Sequence, residues 1–150
     1  MIFTMLIVAV VSCVFLLTGC GEKKEIYVND TFGFSVVMPK EFAVVTKIKE
    51  EGNVIYFKAE NLTWENGDKY MPTIGRIEVY DKDKYTPNQI LEMTGMYNLK
   101  ILEVSQQYYF GVAHATDVQI MPGSSQENLE EFRKLEAVFD QVMDTFEQNP

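Results

Sequence analysis

The segment SSQENLEEFRKLEAVFDQVMDTF, residues 124–146, carries the strongest structural signal in the chain. Its opening run, Ser124-Ser125-Gln126-Glu127, has the form of a capping box, in which side chains satisfy the free backbone N–H groups at the start of a helix. Apolar residues then recur at spacings of three and four, which places them on one helical face. They are Leu129, Phe132, Leu135, Phe139, Val142, Met143 and Phe146. We therefore predict a long amphipathic C-terminal helix that lies across a sheet and supplies much of the core.

The sequence before this helix predicts the strands of that sheet. Alternation of apolar and polar residues between turn residues is typical of half-buried strands. It predicts strands over residues 26–28, 34–38, 44–48, 54–59, 73–80, 99–105 and 108–120. Thr86-Pro87 opens a short helix, whose predicted face is Ile90, Leu91, Met93, Thr94 and Tyr97. Hairpin spacing favours a mainly antiparallel sheet, so the predicted fold class is α+β, with one domain over residues 26–150.

Residues near the start of this domain also form a recognisable pattern. Tyr27, then Gly33-Phe34, then Pro39 followed by Phe42, resembles the opening of PsbP-like domains, in which the last position is usually Trp. The resemblance implies an α/β/α sandwich around an antiparallel sheet and extends over nearly all of residues 26–150. Its motifs are packing motifs, so it implies no catalytic residue, and a shared fold does not transfer a photosynthetic role.

The N-terminal segment predicts where the protein resides. Residues 2–18 contain no charge, and the run ends in LLTGC, residues 16–20. Such a run is short for a spanning helix and typical of a signal peptide. Leu17-Thr18-Gly19-Cys20 resembles the bacterial lipobox. The resemblance implies cleavage after residue 19 and a diacylglycerol with palmitate-type acyl chains on Cys20. Residues 20–25 would then form the lipidated cysteine and a tether. The alternative is an ordinary signal peptide or an N-terminal anchor helix with Cys20 unmodified.

The first five residues lack the Lys or Arg that is usual at the start of a signal peptide. Either the terminal amine supplies the positive charge that orients insertion, or translation starts upstream of Met1. We expect the second.

Charge and cysteine content exclude several classes of function. The formal net charge is −9, which disfavours binding to nucleic acid and predicts repulsion from anionic lipid headgroups. The two cysteines, Cys13 and Cys20, both precede the predicted domain. The domain is therefore expected to have no disulfide and no cysteine-based zinc site.

Two candidate catalytic or metal sites are better explained as structure. His114 is the only histidine, and Asp117, three residues further along the predicted strand, lies on the opposite face. We expect His114 to be a hydrogen-bonded structural residue. Asp81-Lys82-Asp83 with Glu92 has partial calcium-loop spacing, but Thr86 occupies the position that requires Gly. We interpret this segment as an acidic turn and predict no metal.

The segment NLTWENGDKYMP, residues 61–72, is the candidate binding loop. It contains the only Trp of the chain in a long polar connection, and long loops are often functional. The aromatic residues either cover one edge of the sheet or contact a ligand or partner. The candidate contact residues are Trp64, Tyr70 and Met71.

These observations favour a membrane-anchored extracytoplasmic lipoprotein with a non-enzymatic accessory or binding domain. Its membrane contact is the lipid on Cys20, its other partner is an unidentified protein or small ligand, and no cofactor is predicted. The alternative is an extracytoplasmic hydrolase built from carboxylates. A substrate-binding lipoprotein is weaker, because one small domain offers no interdomain cleft.

Overall fold

The computed structural model describes residues 23–60, 62, 71–95, 98–115 and 124–149. These residues form an α+β domain of antiparallel sheets and helices, with the long C-terminal helix packed on a sheet. The predicted fold class is therefore confirmed. The strands are β1 (Lys24–Asn29), β2 (Phe34–Pro39), β3 (Thr46–Glu51), β4 (Val54–Ala59), β5 (Thr73–Asp81), β6 (Lys100–Leu102), β7 (Tyr108–His114) and β8 (Glu147–Gln148). The helices are α1 (Lys40–Ala43), α2 (Pro87–Thr94) and α3 (Gln126–Met143).

The strands divide into two sheets where the sequence predicted one. A small sheet has the order β1-β2-β8, and a larger sheet has the order β3-β4-β5-β7-β6. Every strand pair within the described residues is antiparallel. The predicted hairpin turn at Gly52 joins β3 to β4, and Gly52 adopts a positive φ of 62° that suits glycine.

The main core lies between the larger sheet on one side and α3 with the small sheet on the other. Phe139 of α3 is fully buried against the backbone of β5, where a β-carbon on Gly75 would overlap its ring. Phe34 of β2 joins the same core, with its ring 4.9 Å from Phe146 and 5.4 Å from Phe110. The predicted role of α3 as the main core helix is confirmed, because five residues of its predicted apolar face are buried: Phe132, Leu135, Phe139, Val142 and Met143.

The opposite face of the larger sheet carries a second, smaller core under α2. It contains Tyr80, Ile90, Leu99 and Ala113. Tyr80 and Ala113 alternate along β5 and β7 with residues of the main core, so they face the other side of the sheet. Within the described residues, the larger sheet is thus covered by α3 on one face and by α2 on part of the other.

The aromatic residues of the Tyr-Gly-Phe-Pro pattern pack in the core, and its Gly and Pro lie at a turn and at a strand end. Tyr27 packs edge-on against Phe34, and Phe42 of α1 is buried. Gly33 adopts a positive φ of 66° in the turn between β1 and β2. Pro39 ends β2 and precedes the first residue of α1.

Several predicted boundaries were wrong. Val44 is not in a strand, since it follows α1, is 59% exposed and precedes β3 by two residues. Neither α1 nor β8 was predicted, because elements of two to four residues have too little periodicity to recognise. β6 covers only three of the seven residues predicted between Leu99 and Ser105. Residues 116–120 of the last predicted strand lie outside the described residues.

The predicted faces and caps of the helices need two corrections. In α2 only Ile90 is buried, whereas Leu91 and Met93 of its predicted face are exposed. At the start of α3 the capping residue is Ser125, whose hydroxyl accepts a hydrogen bond from the Asn128 N–H, rather than Ser124. The reciprocal capping box belongs instead to α2, between Thr86 and Gln89.

Candidate binding site

A groove between α1 and α3 is the candidate binding site. Its volume is about 310 Å³, at the small end of the range of roughly 300–1,000 Å³ for ligand sites. Two helices far apart in sequence form its walls. Its lining residues are Pro39, Glu41, Phe42, Val45, Glu131, Lys134, Leu135, Val138 and Gln141.

The floor of the groove is apolar because both helices turn core side chains toward each other. Phe42 of α1 and Leu135 of α3 belong to the main core and are almost fully buried. Val45 and Val138 are half-buried and pack on the same core. The floor is therefore anchored in the core and does not depend on a mobile surface side chain.

The rim of the groove is polar and solvated. Glu41, Glu131, Lys134 and Gln141 are exposed, and the Lys134 ammonium lies 3.9 Å from the Glu131 carboxylate. Such an exposed pair contributes little to stability and rearranges readily. An apolar floor with a polar rim suits an apolar group that enters the groove with polar atoms at its margin.

A second candidate is a row of polar side chains along β5. Arg76, Glu78 and Tyr80 alternate with core residues, so they lie on the sheet face opposite α3. The Arg76 Nε donates to the Glu78 Oε1 at 2.5 Å, and the Tyr80 hydroxyl donates to the Glu78 Oε2. Burial, followed by the hydrogen bond to Glu78, raises the pKa of Tyr80 above its usual range. Both Glu78 oxygens are thus engaged within the sheet.

This row is not among the sites that the sequence predicts. The signal was present in the order Arg-Ile-Glu-Val-Tyr, residues 76–80, in which polar and apolar residues alternate. Alternation alone indicates only that the polar face is turned away from the main core. The Arg76 and Glu78 side chains are each less than a fifth exposed, and charges buried to this extent destabilise the folded state unless they are paired.

His114 forms a third polar contact, between β7 and α3. Its Nε2 lies 2.8 Å from the Asp140 Oδ1, its Nδ1 lies 3.4 Å from the Ile74 carbonyl oxygen, and its ring edge meets Phe139. The predicted hydrogen bonding of His114 is confirmed. Asp117, the carboxylate near it in sequence, lies outside the described residues, whereas the partner in the structure is Asp140.

The residues predicted for the binding loop are described only in part. Trp64 and Tyr70 lie outside the described residues, as does Cys20. Met71 is 40% exposed, just before the buried Pro72. The Pro72 carbonyl accepts a hydrogen bond from the Ala59 N–H at 2.9 Å, which fixes the second end of the loop against β4.

The acidic segment at the end of β5 is a turn. The Asp81 carboxylate accepts a hydrogen bond from the Asp83 N–H at 3.0 Å and lies 3.5 Å from the Lys84 ammonium. Across the described ranges, no group of three or more His, Cys, Asp or Glu side chains could hold a metal ion. No helix in the described part of the chain is long and apolar enough to cross a bilayer.

Comparisons with known proteins give no relative for this chain. No protein-family model, curated protein sequence or solved structure matches it.

Proposed function

We propose that this chain is an extracytoplasmic lipoprotein, anchored in the membrane through Cys20, with a PsbP-like domain that binds a partner in the groove between α1 and α3. The groove itself is the observation that supports binding. Its floor rests on the main core and its rim consists of exposed polar groups. A site of this form recognises a ligand by shape and apolar contact.

The rim also favours a particular kind of partner. It carries two carboxylates, Glu41 and Glu131, against one ammonium, Lys134. An apolar side chain flanked by a basic residue would fill the floor and pair with the acidic side of the rim. A short segment of another protein offers this combination, and aromatic or long aliphatic anchors commonly provide most of the energy in such contacts.

The hydrolase alternative is less well supported by the polar groups of the domain. A carboxylate acting as general acid or base must reach the substrate proton. Both Glu78 oxygens are instead occupied by Arg76 and Tyr80, and the Asp140 carboxylate is bound by His114. The Glu78 contacts lie within β5, and the Asp140 contact links α3 to β7.

The anchoring is tested by fatty-acid labelling in cells. We expect Cys20→Ser to abolish incorporation of labelled fatty acid and to leave the precursor uncleaved. Cys13→Ser is the matched control, because it removes the other thiol within the predicted signal peptide, and it should label like the wild-type chain. Labelling of the Cys20→Ser chain at the wild-type level would overturn the lipoprotein assignment.

The groove is tested by site-specific photo-crosslinking in intact cells. A benzophenone amino acid at Gln141, an exposed residue of the rim, should give a crosslinked product. The control is the same benzophenone amino acid at Glu92, which is also exposed but lies on α2, on the other face of the larger sheet. Equal products from both positions, or none from Gln141, would contradict binding in the groove.

A further inference from the structure

The described chain joins the domain beside α1. The Lys23 carbonyl accepts a hydrogen bond from the Lys40 N–H at 2.8 Å, and Lys24 pairs with Pro39 at the start of β1. The predicted tether is therefore short, because β1 already includes its last two residues. Cys20 is three residues before Lys23, and three residues of extended chain span at most about 10 Å.

This length is small compared with the domain. A folded domain of about 130 residues has a radius of gyration of roughly 14 Å. If Cys20 carries a lipid, as the proposed function requires, the surface around Lys23 must lie close to the bilayer. The side chains of that surface then determine whether the domain contacts the lipids or is only tethered near them.

The two most exposed large apolar side chains of the described residues lie at this end of the domain. They are Ile26, which is 65% exposed, and Val44, which is 59% exposed. Ile26 is three residues along β1 from Lys23, a distance of roughly 10 Å. Val44 follows α1 one helical turn after Lys40, a rise of about 6 Å. Both side chains are therefore within reach of the surface that the tether brings to the bilayer.

The charge of this end differs from that of the whole chain. Residues 23–44 contain three lysines, which are balanced by Glu25, Asp30 and Glu41. The net charge of −9 therefore comes from the rest of the sequence. The acidic helix α3 lies across the groove from α1. Repulsion by anionic headgroups, which the net charge predicts for the domain, is thus weaker at the β1–α1 end than at α3.

We propose that the β1–α1 end docks on the phospholipid surface, with Ile26 and Val44 inserted among the headgroups. The lipid on Cys20 holds the chain at the membrane, and the apolar side chains orient the domain on it. β1, the edge strand of the small sheet among the described residues, and the α1 wall of the groove are then held close to the bilayer. This inference rests on the proposed lipid anchor and adds a fixed orientation to it.

A solvent-sensitive fluorophore on a single cysteine tests the orientation. The lipidated mature chain is placed in vesicles of phosphatidylethanolamine and phosphatidylglycerol, with the fluorophore on Val44→Cys. Met93→Cys is the matched control, because Met93 is 58% exposed but lies on α2. We expect the probe at Val44 to shift to shorter wavelength and to be quenched by spin-labelled lipid, while the probe at Met93 changes little. Ile26→Cys should behave like Val44→Cys.

The outcomes separate this inference from the anchor. If the chain floats with the vesicles but the probes at Val44 and Ile26 are as exposed to water as the probe at Met93, the lipid anchor is supported and the docking surface is wrong. Equal quenching at Val44 and Met93 also overturns it, because the contact would then have no preferred face. A chain that does not float overturns the lipid anchor and the docking surface together.

Discussion

Replacing Phe139 with alanine removes the side chain on which most of the α3 packing depends. Phe139 is fully buried, its ring centroid is 5.2 Å from that of Phe57, and it lies directly over Gly75. Truncation of a buried phenylalanine costs about 3–5 kcal/mol. We expect the upper part of this range, because Gly75 has no side chain that could move into the space left by the ring.

The measurement is denaturant and thermal unfolding of the chain from Gly21 onward, which contains every described element. A loss of this size lowers the melting temperature by about 10–20 °C for a domain of this length. Glu130→Ala is the control on the same helix, since Glu130 is exposed, and it should change stability by less than about 0.5 kcal/mol. An unchanged midpoint for Phe139→Ala would refute the packing of α3 on β5.

A double-mutant cycle makes the test more specific. Gly75→Ala alone should destabilise the domain, because its methyl group overlaps the Phe139 ring. In the Phe139→Ala background the same methyl group enters the vacated space, so the destabilisation caused by Gly75→Ala should become smaller or change sign. Additive effects of the two substitutions would mean that Gly75 and Phe139 do not share this contact.

Two further predictions concern the polar contacts. The coupling of His114 to Asp140, measured by a double-mutant cycle with His114→Ala and Asp140→Ala, should be at most about 1 kcal/mol because the carboxylate is largely exposed; a coupling of several kcal/mol would contradict a solvated contact. Burial and hydrogen bonds to carboxylates raise the pKa values of Tyr27 and Tyr80 above those in the unfolded chain, so the folded state keeps protons that the unfolded state releases above about pH 10. This contribution to the free energy of unfolding should therefore be fully retained below that pH and be lost as the pH rises further. The loss should be shallower in a chain that carries both Tyr27→Phe and Tyr80→Phe. Identical alkaline profiles of the free energy of unfolding for the two chains would contradict the raised pKa values.

The sequence predicted the long elements better than the short ones. The apolar spacing of α3 and the alternation in β2 and β5 extend over enough residues to define a face without any knowledge of the fold. The helix α1 has only four residues, and its observed contacts are the burial of Phe42 and the hydrogen bond from Lys40 to Lys23. Such contacts are long-range, so no local pattern predicts them.

The candidate groove was only partly predictable. Leu135 was assigned to the core face of α3, and Phe42 belonged to the packing pattern of the resemblance. Their position on either side of one groove depends on α1 packing near α3, across about 90 residues of sequence. The row from Arg76 to Tyr80 was missed for a related reason, because alternation places polar groups on a face but does not show that they bind one another.

The sequence by itself determined the core faces of the long elements, α3, β2 and β5, because periodicity is a local property of helices and strands. It also determined the alternation that places Arg76 and Glu78 away from the main core. The tertiary structure alone decided that the strands divide into two sheets and that His114 meets Asp140, 26 residues away. The physical reason is that hydrogen bonds and grooves depend on distances between elements, and the packing of the whole core sets those distances.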